Sequence, residues 1–199
     1  VMKKYGYEER KLSDIKKLAG RGSKVMLVKS INEVNKISKK EKKVDDVIDE
    51  MTKEFVDFYS KNIVKESTLK NGLVNFLSWC KKKSILMGVC TNKQEHLSID
   101  LLKKIKIFHF FDYVAGGNTF NYNKPNPKHL TDTIEIIGGD TRKSLMVGDS
   151  ETDSNASKAA NIPFILLRDG YTEKKENEIH HNYLINDFVG LEKIVEKYL

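Results

Sequence analysis

The apolar positions of this 199-residue chain change their period part-way along. Up to about residue 64 they recur every three or four positions, as in Val44, Val47, Ile48, Met51, Phe55, Phe58 and Tyr59. That spacing lines one face of an α-helix, and no strand pattern interrupts it. A further helix is predicted after Leu69-Lys70-Asn71-Gly72, with Phe76, Leu77 and Cys80 turned inward. From there short apolar runs alternate with helical ones. Strands are predicted over 84–90, 113–115, 144–147, 164–167 and 183–185, and helices over 95–104, 127–137, 153–160 and 191–198. Pro127 suits a first helical turn and Gly138 a stop.

Strands that alternate with helices of this length predict an α/β fold, a parallel sheet with helices on both faces. The strands are short and apolar without polar alternation, which fits burial on both sides. The division expected is a helical unit over 1–64 and an α/β core over 65–199. Ligands of such sheets gather at the carboxyl ends of the strands. Thr91, Gly116-Gly117 and Asp149 all fall there.

Composition narrows the classes. Apolar residues make up 39% and charged residues 32%, ordinary for a soluble globular protein. No apolar run approaches a membrane span and no signal peptide opens the chain, so a cytoplasmic protein without membrane partners is expected. The net charge is +7, but only four of the 35 basic residues are Arg. The lysines are scattered among acids, as in Lys39-Lys40-Glu41-Lys42-Lys43, which reads as solvated helix faces rather than a nucleic-acid surface. Cys80 and Cys90 form no C-x-x-C pair and are expected as buried free thiols.

Three fragments carry chemistry. Gly88-Val89-Cys90-Thr91-Asn92 ends a strand and opens a helix, where unpaired N–H groups and a hydroxyl can take an anion. Simple capping of the helix explains Thr91 equally well. Asn123-Lys124-Pro125-Asn126-Pro127 holds an ammonium on a loop stiffened by two prolines, able to neutralise a phosphate and a carboxylate at once. Val147-Gly148-Asp149-Ser150-Glu151-Thr152-Asp153 delivers two carboxylates, four residues apart, to a strand end. Hard cations such as Mg2+ take oxygen ligands of this kind. Asp149 is the direct ligand expected; Asp153 would reach the metal, a metal-bound water, or Lys124.

These motifs resemble those of the haloacid dehalogenase superfamily and, within it, the phosphoglycolate phosphatase subgroup. Thr91-Asn92-Lys93, Gly116-Gly117-Asn118-Thr119 and Gly148-Asp149-Ser150 carry the subgroup resemblance. It implies a Rossmann-like core with a small helical cap domain, and a Mg2+-dependent phosphatase of a small phosphorylated metabolite, with 2-phosphoglycolate foremost. It implies Thr91, Lys124, Asp149 and Asp153 as catalytic residues, Asp149 and Asp153 as metal ligands, and Thr91, Asn92, Lys124 and Arg21 of the Gly20-Arg21-Gly22 loop on the substrate. A monomer or homodimer is expected. The family's nucleophile and general acid lie in an Asp-x-Asp-Gly-Thr motif, and no such motif occurs in these residues. Its strand is expected between those ending at Thr91 and Asp149. Truncation upstream is the favoured explanation, and the chain as given is expected not to turn over a phosphomonoester. The alternatives are a non-catalytic module binding phosphate or Mg2+, or a phosphosugar mutase or pyrophosphatase with related motifs.

Overall fold

A computed structural model describes residues 1–18, 20, 22–38, 47–172 and 174–198. Helices come first: α1 (Leu12–Leu18), α2 (Ser23–Ser38), α3 (Ile48–Lys61) and α4 (Leu73–Lys82). The α3 helix carries Asp49 and Glu50 in its first turn and Lys61 in its last, each complementing the helix dipole. Ile48 and Met51 from its apolar face meet Leu27 and Ile31 of α2 and Tyr7 in one buried cluster. Val44, placed on the same apolar stripe by its spacing, lies outside the described residues.

The remaining elements alternate as β1 (Gly88–Cys90), α5 (Glu95–Lys104), β2 (Tyr113–Ala115), α6 (Lys128–Ile136), β3 (Met146–Gly148), α7 (Glu151–Ala159), β4 (Phe164–Leu167), β5 (Tyr183–Ile185) and α8 (Glu192–Val195). Successive side chains of a strand point to opposite faces, and β4 shows what that does. Ile165 enters a cluster with Phe76, Leu77 and Cys80 of α4 and Val195 of α8. Phe164 and Leu166 face the other way, towards Ile179. On that second side Leu130 of α6 packs with Ala156 of α7 and Ile162. The core is therefore helix, sheet, helix. No helix among the described residues is long and apolar enough to cross a membrane.

Every strand pairing is parallel, but the described residues form two sheets, β1–β2 and β3–β4–β5. Among the described residues neither β1 nor β3 has a strand partner on its second side. Burial reflects this: β4 is almost wholly buried, whereas β3 is intermediate throughout and β1 starts with an exposed Gly88. The two sheets still share a core, since Cys90 of β1 and Met146 of β3 pack on the same α6–α7 cluster.

Some boundaries differ from expectation for local reasons. The strand predicted over 84–90 begins only at Gly88. Ser84 sits at φ 55° and the Ile85 N–H returns to the Cys80 carbonyl, so this stretch unwinds α4 first. The helix predicted over 153–160 starts two residues earlier, because Ser150 caps it. The closing helix 191–198 is α8 followed by a 3-10 turn over Glu196–Tyr198.

Candidate functional site

The end of β3 and the start of α7 are locked by a reciprocal cap. Ser150 Oγ accepts from the Asp153 N–H at 3.3 Å. Asp153 Oδ2 in turn accepts from the N–H groups of Asp149 and Ser150, both at 3.1 Å, and from Ser150 Oγ at 2.7 Å. This capping box satisfies N–H groups that a helix start leaves unpaired. It requires close approach: a Cβ on Gly148 would lie 2.6 Å from the Asp153 carboxyl carbon.

The other oxygen of Asp153 reaches across the fold. Lys124 Nζ donates to Asp153 Oδ1 at 2.5 Å, with both side chains only 7% exposed. The ammonium also donates to the Cys90 carbonyl at the end of β1. Burial alone would lower the Lys124 pKa; Asp153, Cys90 and Asp149 outweigh it, so the net direction is upward. Asp153 thus meets Lys124, one of its three expected targets. Below the lysine, the Lys124 N–H donates to His129 Nδ1 at 3.2 Å. That bond places the proton of a neutral imidazole on Nε2. Burial, then the neighbouring ammonium, pushes His129 down to about 4. Burial pushes the Cys90 thiol up to about 11, although Lys124 opposes it, so Cys90 stays protonated near neutrality.

At the end of β1, the Thr91 N–H continues the ladder to the Ala115 carbonyl at 2.9 Å. Its hydroxyl accepts from the Lys93 N–H at 3.2 Å. Asn92 ties three loops together. Its Nδ2 donates to the Lys124 carbonyl at 2.9 Å and to the Gly20 carbonyl, from the loop before α2, at 3.2 Å. Its Oδ1 is buried with no hydrogen-bond partner among the described residues.

These groups meet in one cavity of about 360 Å³ between the helical N-terminal part and the strand ends. Thr91, Asn92, Lys124, Asp149 and Asp153, far apart in sequence, all line it. Gly20 and Gly22 line it too, while Arg21 between them lies outside the described residues. A hydroxyl and an ammonium can together hold a tetrahedral anion.

Asp149, unlike Asp153, makes no ion pair among the described residues and can serve a cation. Burial, followed by the Asp153 charge, raises its pKa, against the pull of Lys124 and the Tyr171 N–H. A divalent ion at this carboxylate would relieve that penalty. Mg2+ is held by one or two carboxylates, several waters and substrate phosphate, and Asp149 fits such a donor set. Among the described residues no three His, Cys, Asp or Glu side chains converge to form a larger cage. A Cβ on Gly170 would come within 1.9 Å of the Asp149 carbonyl oxygen, so this side chain too is set by a bare backbone passing close by.

Several cavity residues were not foreseen. Phe55 and Tyr59 of α3 share the cavity wall with Met26 of α2, and Lys93 faces them from the core. The i, i+4 spacing of Phe55 and Tyr59 is that of any core-facing stripe, so it carried no signal for a site. His129 was equally silent, being a lone His in a helix.

Comparison with known proteins bears on this geometry. Residues 1–167 match the haloacid dehalogenase-like hydrolase family model. A phosphoglycolate phosphatase of Mesorhizobium japonicum is 38% identical over 143 residues, covering 72% of this chain and 63% of that protein. Another, from Agrobacterium fabrum, is 33% identical over 189 residues, covering 92% of this chain and 79% of that one. Thus the match reaches less than two thirds of the first relative's length and more of the second's. Among solved structures, a predicted phosphoglycolate phosphatase from Haemophilus somnus superposes with a TM-score of 0.89 at 23% identity, over 97% of this chain and 86% of that one. A β-phosphoglucomutase from Clostridium difficile gives 0.78 at 19% identity, over 99% and 85%. At these identities the structural likeness speaks for the fold.

Proposed function

The chain belongs to the haloacid dehalogenase-like hydrolase family, and from that premise we propose that it serves the hydrolysis of a small phosphomonoester, 2-phosphoglycolate in the first place. The observation that carries the reading is the single cavity lined by Thr91, Lys124, Asp149 and Asp153. The substrate class follows the phosphoglycolate phosphatases to which the chain is similar.

Each residue has a role in this scheme. The Thr91 hydroxyl binds a phosphoryl oxygen. Lys124 neutralises charge that grows on them in the transition state, in a dry site where that counts most. Asp153 holds the ammonium in place and closes the α7 cap, acting as a positioning group. Asp149 would hold Mg2+, which when bound supplies Lewis-acid charge to the phosphoryl group. The helical wall from α2 and α3 keeps bulk water from the reacting atoms.

The nucleophilic aspartate and its partner acid come, in this proposal, from a strand outside these residues that fits between β1 and β3. Three features support it. Both strands have a free second side among the described residues, both are less buried than β4, and Lys124 joins the end of β1 to the first turn of the helix that follows β3. The test is hydrolysis of 2-phosphoglycolate by this chain and by a version extended with an Asp-x-Asp-bearing strand segment, with and without Mg2+. The extended protein is expected to turn over and the chain alone is not. Lys124→Met and Asp149→Asn should each remove the activity of the extended protein. Equal turnover by both forms would overturn the placement of the nucleophile.

A further inference from the structure

We propose that Lys93 is a second anion-binding group of the cavity and reads a carboxylate carried a few atoms from the substrate's phosphate. This rests on the phosphatase reading above and extends it to what selects the substrate.

The two ammonium groups of the cavity are in opposite states. Lys124 is already matched by a carboxylate, Asp153. Lys93 is held by neutral groups only: its Nζ lies 4.2 Å from the centroid of the Tyr59 ring and donates to the Tyr59 hydroxyl. Among the described residues it forms no ion pair. A cation kept in a cleft beside a tyrosine hydroxyl, without a carboxylate, retains its attraction for an anionic ligand.

Its position is fixed as well. The Lys93 N–H donates to Thr91 Oγ1, and the Lys93 carbonyl accepts from the Gly117 N–H at 2.7 Å. Backbone give at this point is small, since a Cβ on Gly117 would sit 2.4 Å from the Asn92 carbonyl oxygen. Tyr59 is steadied in turn by stacking on Phe55, with ring centroids 6.2 Å apart. Lys93 is two residues from Thr91, the proposed phosphate ligand. Both residues line the same cavity, so a ligand carrying a phosphate and a carboxylate can engage the two positions together, and an uncharged phosphomonoester cannot. Because Tyr59 belongs to α3 and Lys93 to the core, occupancy of this position also bears on how the helical wall sits over the cavity.

The experiment is calorimetric binding to the full chain in Mg2+ buffer, using orthophosphate, ethyl phosphate and 2-phosphoglycolate. Wild type is expected to bind all three, with 2-phosphoglycolate tightest. Lys93→Met should weaken 2-phosphoglycolate about tenfold or more, to the level of ethyl phosphate, and leave the other two within about threefold. Lys93→Arg keeps the charge and is expected to restore most of the preference; it also serves if the Met variant folds poorly. Tyr59→Phe retains the ring but loses the hydroxyl, and should shift only 2-phosphoglycolate. Two results overturn the inference while leaving the phosphatase reading intact: no preference for 2-phosphoglycolate in wild type, or equal weakening of all three ligands by Lys93→Met. Failure of wild type to bind orthophosphate at all, with Thr91→Val changing nothing, would instead remove the phosphate site itself.

Discussion

His129 is a fully buried imidazole whose ring supports the backbone of the residue that matters most to the site. Its pKa near 4, against about 6.5 in an unfolded chain, makes it a source of acid sensitivity. Above pH 6.5 both states are neutral and folding is unaffected. Between 6.5 and 4 the unfolded chain takes up a proton that the folded one refuses, so stability falls as pH falls. The loss approaches about 3 kcal/mol at the lower end. His129→Gln keeps an acceptor for the Lys124 N–H and does not titrate. Urea midpoints for wild type and the variant, taken from neutral pH down to about 4.5, should converge as pH drops. Parallel curves would show that burial of this ring is not what limits acid stability. At the residue scale, legibility followed function in an uneven way. Lys124, Asp149 and Asp153 stood out because strand ends and prolines framed them. His129 did not, and Lys93 stood out only as part of a motif without a role of its own, since what distinguishes them is a neighbour distant in sequence.

The start of α7 shows how one side chain serves an element and a site together. Asp153 takes part in the capping box with one oxygen and holds Lys124 with the other. Removing the Ser150 hydroxyl by Ser150→Ala strips one cap contact and should cost about 1 kcal/mol. Asp153→Asn leaves a buried ammonium without its counter-charge, and the cost expected is about 3 kcal/mol or more. Denaturant unfolding of the two variants measures the difference; equal, small losses would mean the ion pair contributes little to folding. Elements themselves were readable where pattern and punctuation agreed. The α5, β2, β4 and β5 segments begin and end where apolar period and turn residues predicted. Errors at the starts of α7 and β1 fell where a local cap or a left-handed turn moved the boundary, at Ser150 and Ser84, and β3 runs over Met146–Gly148 instead of 144–147. The interruption between β1 and β3 leaves no trace in the local apolar pattern; it is expected only through the family resemblance, which puts an absent strand between those ending at Thr91 and Asp149.

At the scale of the molecule, the apolar interior falls into separate clusters. One joins Tyr7, α2 and α3; the others surround the sheets, and the first shares no buried residue with them. Between the two parts, residues 64–70 are all exposed. We take 1–64 and 65–199 as units that unfold separately, the smaller cluster giving way first because fewer buried side chains oppose its chain entropy. The chain has a single tryptophan, Trp79, and it packs against the core cluster, stacked on Phe76 with centroids 6.1 Å apart. Its emission therefore reports the α/β part, whereas far-ultraviolet dichroism also weighs α1, α2 and α3. During urea unfolding the dichroism should lose a first fraction before Trp79 emission changes, giving two midpoints instead of one. Saturating 2-phosphoglycolate binds between the two parts in the proposed scheme, so it should draw those midpoints together by stabilising both. Coincident transitions in the absence of ligand would mean that the Asn92–Gly20 and Lys93–Tyr59 contacts already weld the molecule into one cooperative unit.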